Sequence, residues 1–142
     1  MSRRGLALIL LVLVACTTGC GSRHASPAGA VPNSPLPAAT VHQAQQEHKP
    51  VMVTVTAAWC TGCTQLKEQA LSLPEVVTSA KRFVVLDVDG DKQPSLKGRL
   101  RVTGYPTIVF FDARGKEISR VRGAVPYQIL LDEMDEAVRK AG

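Results

Sequence analysis

The sequence predicts an α/β domain, a central mixed β-sheet flanked by helices on both faces. Three observations predict it. Apolar, β-branched runs of strand length stand at 51–55 (VMVTV), 83–88 (FVVLDV) and 107–111 (TIVFF). Segments with helical spacing lie between the first two and close the chain. The run at 107–111 and a further strand at 117–122 are separated only by Asp112-Ala113-Arg114-Gly115, a turn signal with a glycine available for a left-handed position.

Taken in order, the elements read as follows. Thr40 can cap a short helix that runs to Glu47, and Pro50 breaks it before the first strand. Residues 61–71 have helical spacing through Leu66, Ala70 and Leu71, and after Pro74 a second helical segment covers 74–80. The buried strand 83–88 follows, and the polar stretch after it has room for a short helix around 95–100. The strands at 107–111 and 117–122 pair as a hairpin. The last helix, 126–140, places Ile129, Leu130, Met134, Ala137 and Val138 at helical spacing, with Pro126 near its first turn and Arg139 and Lys140 in its last.

Composition agrees with one globular domain plus extras. The chain has 142 residues, of which 45% are hydrophobic and 20% charged, enough apolar material to close a core and too little charge for wholesale disorder. The longest apolar run is about ten residues, short of the roughly 20 that a membrane-crossing helix needs. That run, 6–15 (LALILLVLVA), follows Arg3 and Arg4 and ends at Cys16, which is the charged and apolar layout of a secretory signal. Leu13-Val14-Ala15-Cys16 also resembles a bacterial lipobox, and the resemblance implies cleavage before Cys16 and lipid modification of it. Acyl chains contribute about 0.8 kcal/mol per buried CH₂, so such a protein is expected to be anchored to a membrane of the bacterial envelope and to face the periplasm or extracytoplasmic space. Cys20 has no assigned role.

Residues 16–39 are rich in Ser, Gly, Ala and Pro and read as a flexible tether of about 25 to 30 Å. The domain is expected over 40–142. Without Arg3 and Arg4 the formal charge of +5 falls to +3, and no aromatic residues interleave the basic ones, so no nucleic-acid partner is expected.

The chemistry concentrates in Trp59-Cys60-Thr61-Gly62-Cys63, where the first strand hands over to a helix. A cysteine at a helix N-terminus faces unsatisfied backbone N–H groups and the positive end of the macrodipole, which favour its thiolate. Cys60 is therefore the expected nucleophile. Cys63, one turn on, falls within the Cα separation of about 4.4 to 6.8 Å that a disulfide tolerates, and is placed to resolve a mixed disulfide. A static disulfide and half of a zinc or copper site are the alternatives. The first would close only a tiny loop. The second lacks further ligands, because His24, His42 and His48 lie in or near the tether and first helix and there is no second CxxC.

Gly104-Tyr105-Pro106-Thr107 opens the TIVFF strand about forty residues later. An ordinary turn would use Gly and Pro equally well. Together, however, WCxxC after one strand and GxPT opening a later one resemble the thioredoxin family. The stretch from Val51 to Gly123, with AAWCTGC, GYPTIVFFDARGKE and RVRG, is most similar to the C-terminal periplasmic domains of DsbD-type disulfide reductases.

The resemblance implies a thioredoxin-like fold, thiol:disulfide oxidoreductase activity in the reducing direction and a cis Pro106. It also implies a Tyr105 backbone free to bind an extended substrate segment. Trp59 itself reads as a lid over the thiols, with core packing by a lone tryptophan as the alternative. Protein disulfides or thiols are the implied substrates and a transmembrane protein the implied electron donor, with the domain acting as a monomer without cofactor or metal. A redox-inactive binding module or a metal-delivery protein is the alternative class. This chain departs from the family pattern where a buried acid usually stands six residues before the first cysteine, since that place is Thr54. No lysine occupies strand 83–88, where Asp87 is expected to face the opposite side or solvent. Tyr105 is bulkier than the usual residue before the cis-proline, and the thiol pair lacks the family's common proline. Asp87-Val88-Asp89-Gly90-Asp91 suggests a calcium loop but has Lys92 where glycine is required and Gly98 in the twelfth place, so it reads as a strand end and turn.

Overall fold

A computed structural model of the protein describes residues 32–142. The signal segment 1–15, Cys16, Cys20, His24 and most of the tether lie outside the described residues. The element order is α1 (Ala38–Glu47), β1 (Val51–Thr56), α2 (Thr61–Leu66), α3 (Pro74–Ala80), β2 (Val84–Asp89), α4 (Pro94–Arg99), β3 (Thr107–Phe111), β4 (Glu117–Arg122) and α5 (Tyr127–Ala141). Each element expected from the sequence is present.

Three local differences have physical causes. Thr40 does not cap α1. The helix begins at Ala38 after Pro37, whose carbonyl accepts the Val41 N–H at 3.2 Å, and Thr40 sits inside the first turn. Pro37 has a φ of −58°, already suited to helix entry, so no polar side chain is needed there. The segment 61–71 is not one uniform α-helix, because α2 passes into a π-helical turn over Lys67–Leu71. That wider turn keeps Leu66 and Ala70 buried against the sheet before Leu73 and Pro74 restart the chain as α3. In α5, Leu130, Met134 and Ala137 are fully buried, whereas Ile129 is 49% exposed and turns away from the core.

The sheet order is β2-β1-β3-β4, with β1 and β2 parallel, β1 and β3 antiparallel, and β3 and β4 joined as an antiparallel hairpin. Strands alternate their side chains between two faces, and both faces of β1 and β3 are covered. Val51, Val53 and Val55 meet α1 through Val41 and Ala44, and α4 and its C-terminal cap through Leu96 and Leu100. Met52, Ile108 and Phe110 meet α2, α3 and α5 through Leu66, Val76, Leu130 and Met134. Helices thus lie on both faces, as the element order requires.

Two polar anchors fix the periphery. Asp112 accepts from the Arg114 and Lys116 N–H groups at 2.9 Å each, shaping the hairpin turn. Gly115 in that turn has a φ of +86°, and a Cβ there would collide with the Ser34 hydroxyl, which donates to the Gly115 carbonyl at 3.0 Å. Arg120, on β4, donates to the carbonyls of Leu100 and Arg101 just past α4 at 3.2 Å each, and forms a two-pronged pair with Glu117 at 2.7 Å. Among the described residues no helix is long and apolar enough to cross a membrane.

Candidate active site

The site forms where β1 ends. Ala57 leaves the strand, the Cys60 N–H donates to the Ala57 carbonyl at 3.2 Å, and Cys60 becomes the N-cap of α2 with extended φ and ψ. The Cys60 carbonyl then accepts from the Cys63 and Thr64 N–H groups at 3.1 and 3.3 Å. The Cys63 N–H also donates to Cys60 Sγ at 3.1 Å, so the cap is made by sulfur rather than by a hydroxyl or carboxylate. Cys60 and Cys63 are joined as a disulfide with Cα atoms 5.2 Å apart. They are 7% and 8% exposed, covered by Ala57 and Tyr105.

The second half of the site comes from the turn before β3. The Tyr105–Pro106 peptide bond is cis. Thr107 Oγ1 donates to the Gly104 carbonyl and the Gly123 N–H donates to the Pro106 carbonyl, both at 2.8 Å, which hold the turn in place. Gly62 is packed so closely that a Cβ there would sit 3.3 Å from Pro106 Cδ, and the CxxC loop and the proline turn therefore touch. Neither backbone polar group of Tyr105 has a backbone partner among the described residues.

Trp59 is not core packing. It is 72% exposed, and its indole N–H donates to Asp91 Oδ2 at 2.7 Å. Its ring meets Tyr105 edge-on at 5.7 Å, Tyr105 donates its hydroxyl to Asp91 Oδ1 at 3.4 Å, and Lys97 Nζ lies 4.6 Å over the Tyr105 ring. Gly90 permits this arrangement, since a Cβ there would run into the Tyr105 ring. Asp91 is placed by Asp89, whose Oδ1 accepts the N–H groups of Asp91 and Lys92 at 3.1 and 3.2 Å. Those bonds, the Lys92 N–H first, hold the Asp89 carboxyl below the ordinary aspartate value against a smaller opposing effect of desolvation. The acidic turn after β2 therefore serves to present one carboxylate to Trp59 and Tyr105.

The structure brings Trp59, Cys60, Cys63, Tyr105 and Pro106 together. Asp91, read in the sequence only as part of a strand end and turn, and Lys97, not singled out there, join them; their partners stand 32 and 14 residues from Asp91, and 8 from Lys97, at spacings that match no local motif. Below the disulfide a cavity of about 650 Å³ opens between the sheet and α2–α3, lined by Cys63, Thr54, Thr56, Lys67, Asp87 and Asp89 among others. Asp87 is solvent-exposed, but on the Cys63 side of the sheet and not the opposite one. Among the described residues no cluster of three or more His, Cys, Asp or Glu side chains comes together as a metal site.

Comparison with known proteins gives three findings. Residues 37–138 match the family described as thioredoxin-like domain. The thiol:disulfide interchange protein DsbD of Cronobacter sakazakii is 40% identical over 83 residues, which cover 56% of this chain and 14% of that protein. The chain thus matches only a small part of that relative's length. Among solved structures, a thioredoxin from Thermus thermophilus superposes with a TM-score of 0.66 at 32% identity, covering 73% of this chain and 85% of that one. A DsbH oxidoreductase superposes with a TM-score of 0.63 at 25% identity, over 70% and 79% of the two chains. These likenesses and the Cys60–Cys63 pair support thiol:disulfide oxidoreductase activity.

Proposed function

The chain belongs to the thioredoxin-like domain family, and from that premise we propose that it is a membrane-anchored extracytoplasmic disulfide reductase that works through Cys60 and Cys63. The single observation that carries the assignment of roles is the Cys63 N–H aimed at Cys60 Sγ at 3.1 Å at the start of α2. A donor in that position stabilises a thiolate on Cys60 and does nothing comparable for Cys63.

In the cycle, the reduced protein presents the Cys60 thiolate to a substrate disulfide. Its sulfur attacks one substrate sulfur, the substrate S–S bond breaks, and the other substrate sulfur leaves as a thiolate that takes up a proton. Cys63 gives up its proton and attacks Cys60 Sγ. The Cys60–substrate bond breaks, the second substrate sulfur leaves and is protonated, and the Cys60–Cys63 disulfide closes. Two electrons have passed to the substrate. Restoring the dithiol needs an electron donor, which we assign to a transmembrane dithiol protein.

Substrate docking is assigned to the surface that Trp59 and the Tyr105–Pro106 turn form beside the disulfide. An extended segment can use the Tyr105 backbone groups in the manner of an added strand, with little demand on its side chains. The reducing direction is supported by the likeness to DsbD, and the anchor by the signal-like segment ending at Cys16. With a lipidated Cys16, the domain would work at the end of a tether.

Replacing Cys63 with Ala tests the roles. Mixed disulfides through Cys60 are expected to accumulate in cells and to disappear on reduction; their absence would remove the exchange cycle. The reduction potential of the pair, measured against glutathione, tests the direction. A value as oxidising as that of the strong oxidants, about −120 mV, would overturn a reductase role.

A further inference from the structure

The resolving step requires Cys63 to lose a proton while it is 8% exposed, and Cys60 Sγ is the atom it attacks, not a base. The nearest route out is the 650 Å³ cavity that Cys63 itself lines. Water occupies about 30 Å³ per molecule in the liquid, so an opening of that size has room for a chain of waters, and Thr54, Thr56, Asp87 and Asp89 are among the polar points along a lining that is otherwise largely apolar.

Its walls carry few groups that can accept a proton. The strands contribute alternate residues: Thr54 and Thr56 from β1, and Asp87 and Asp89 from β2, which stand in register as Thr54↔Asp87 and Thr56↔Asp89. The facing helix contributes Cys63, Thr64 and Lys67. Lys67 is a cation at neutral pH and has no lone pair to offer. Asp89 is already committed, with Oδ1 on two backbone N–H groups and Oδ2 paired to Lys92 at 3.4 Å. Asp87 carries no hydrogen bond or ion pair among the described residues. Thr54, its partner across a strand spacing of about 4.8 Å, is 3% exposed and faces the same cavity with a hydroxyl that both donates and accepts.

We infer that Asp87 is the proton acceptor for Cys63, reached through the Thr54 hydroxyl and the water of the cavity. When Cys63 attacks Cys60 Sγ, its proton moves along this path to the Asp87 carboxylate as the substrate thiolate departs. When a donor dithiol later reopens the Cys60–Cys63 bond, the same carboxylic acid returns the proton to the departing Cys63 sulfur. The inference rests on the exchange cycle proposed above.

The experiment separates the two. The reduced protein is mixed in stopped flow with 5,5′-dithiobis(2-nitrobenzoate), so that attack by Cys60 releases one thionitrobenzoate and resolution by Cys63 releases the second. For Asp87→Asn the first phase is expected at the wild-type rate. The second should slow about tenfold or more between pH 6 and 7, with the difference vanishing above about pH 9, where an ordinary thiol ionises unaided. Asp87→Glu is expected to stay within about threefold of wild type, and Glu75→Gln, which removes an exposed acid outside the cavity, to match it. Second-phase pH profiles that coincide for wild type and Asp87→Asn would overturn the inference, as would equal slowing by Glu75→Gln. Absence of any second phase in the wild-type protein would overturn the exchange cycle itself. Thermal unfolding of each variant establishes that the fold is kept.

Discussion

The indole N–H of Trp59 donates to the carboxylate of Asp91 at 2.7 Å, across 32 residues of sequence. This bond determines what the site looks like from outside. An indole that is 72% exposed has little packing to hold it, and would on its own sample several rotamers. Asp91 instead pins it edge-on against Tyr105, which the same carboxylate also engages and which covers the buried sulfurs. The result is a fixed aromatic rim beside a pair of sulfurs that are almost wholly enclosed.

Removing that carboxylate should free the rim while leaving the thiols alone. Asp91→Ala is expected to speed the local motion of Trp59, the single tryptophan of the chain, in time-resolved fluorescence anisotropy. A charge-assisted hydrogen bond is worth about 1 kcal/mol or somewhat more, so KM for a protein disulfide should rise about fivefold. The rate with a small disulfide, which has no use for the rim, should be unchanged. Unaltered anisotropy together with unaltered KM would show that Asp91 does not order Trp59.

Much of this arrangement was legible in the chain before any coordinates. The strands announced themselves because β1 and β3 are buried on both faces and so read as unbroken apolar runs, and the CxxC stood at a strand-to-helix junction where its chemistry follows from backbone dipoles. Pro106 was legible through its GYPT context. Asp91 was not, because its role depends on a turn built by Asp89 and on rings supplied from two distant loops. Asp87, expected to face the opposite side or solvent, is exposed but lies on the Cys63 side of the sheet. Which face of the sheet holds Cys63 depends on how α2 docks, and no local pattern encodes that. The start of α1 was missed for the opposite reason: Thr40 offered a strong capping signal, and Pro37 with a preset φ served instead.

The orientation of α5 gives a clean test of the second core. Leu130 is fully buried against the sheet face that also holds Phe110, whereas its neighbour Ile129 is 49% exposed. Leu130→Ala is expected to cost about 3 kcal/mol in urea unfolding, from lost transfer energy and the cavity left behind. Ile129→Ala should lie within about 0.5 kcal/mol of wild type. Comparable losses at the two positions would mean that the helix is rotated from the orientation described.

Stability should also depend on acid through Glu117. Hydrogen bonds from the Arg120 guanidinium are the main cause that holds its carboxyl below the ordinary glutamate value, and partial burial opposes them. A carboxyl depressed in the folded state binds its proton more readily when unfolded. Its contribution is therefore complete above the unfolded pKa of about 4.3 and is lost as pH falls through the lower, folded value. Glu117→Gln is expected to cost up to about 1 kcal/mol at pH 7 and nothing measurable in acid, once wild-type Glu117 is itself protonated. Arg120→Met should cost more, about 2 kcal/mol at pH 7, because the carbonyls of Leu100 and Arg101 lose their donors along with Glu117. Urea unfolding at pH 7 and in acid checks both variants. A Glu117→Gln deficit of the same size at pH 7 and in acid would show that the carboxylate's charge is not what Arg120 recognises, and that the end of α4 is held by the carbonyl contacts alone.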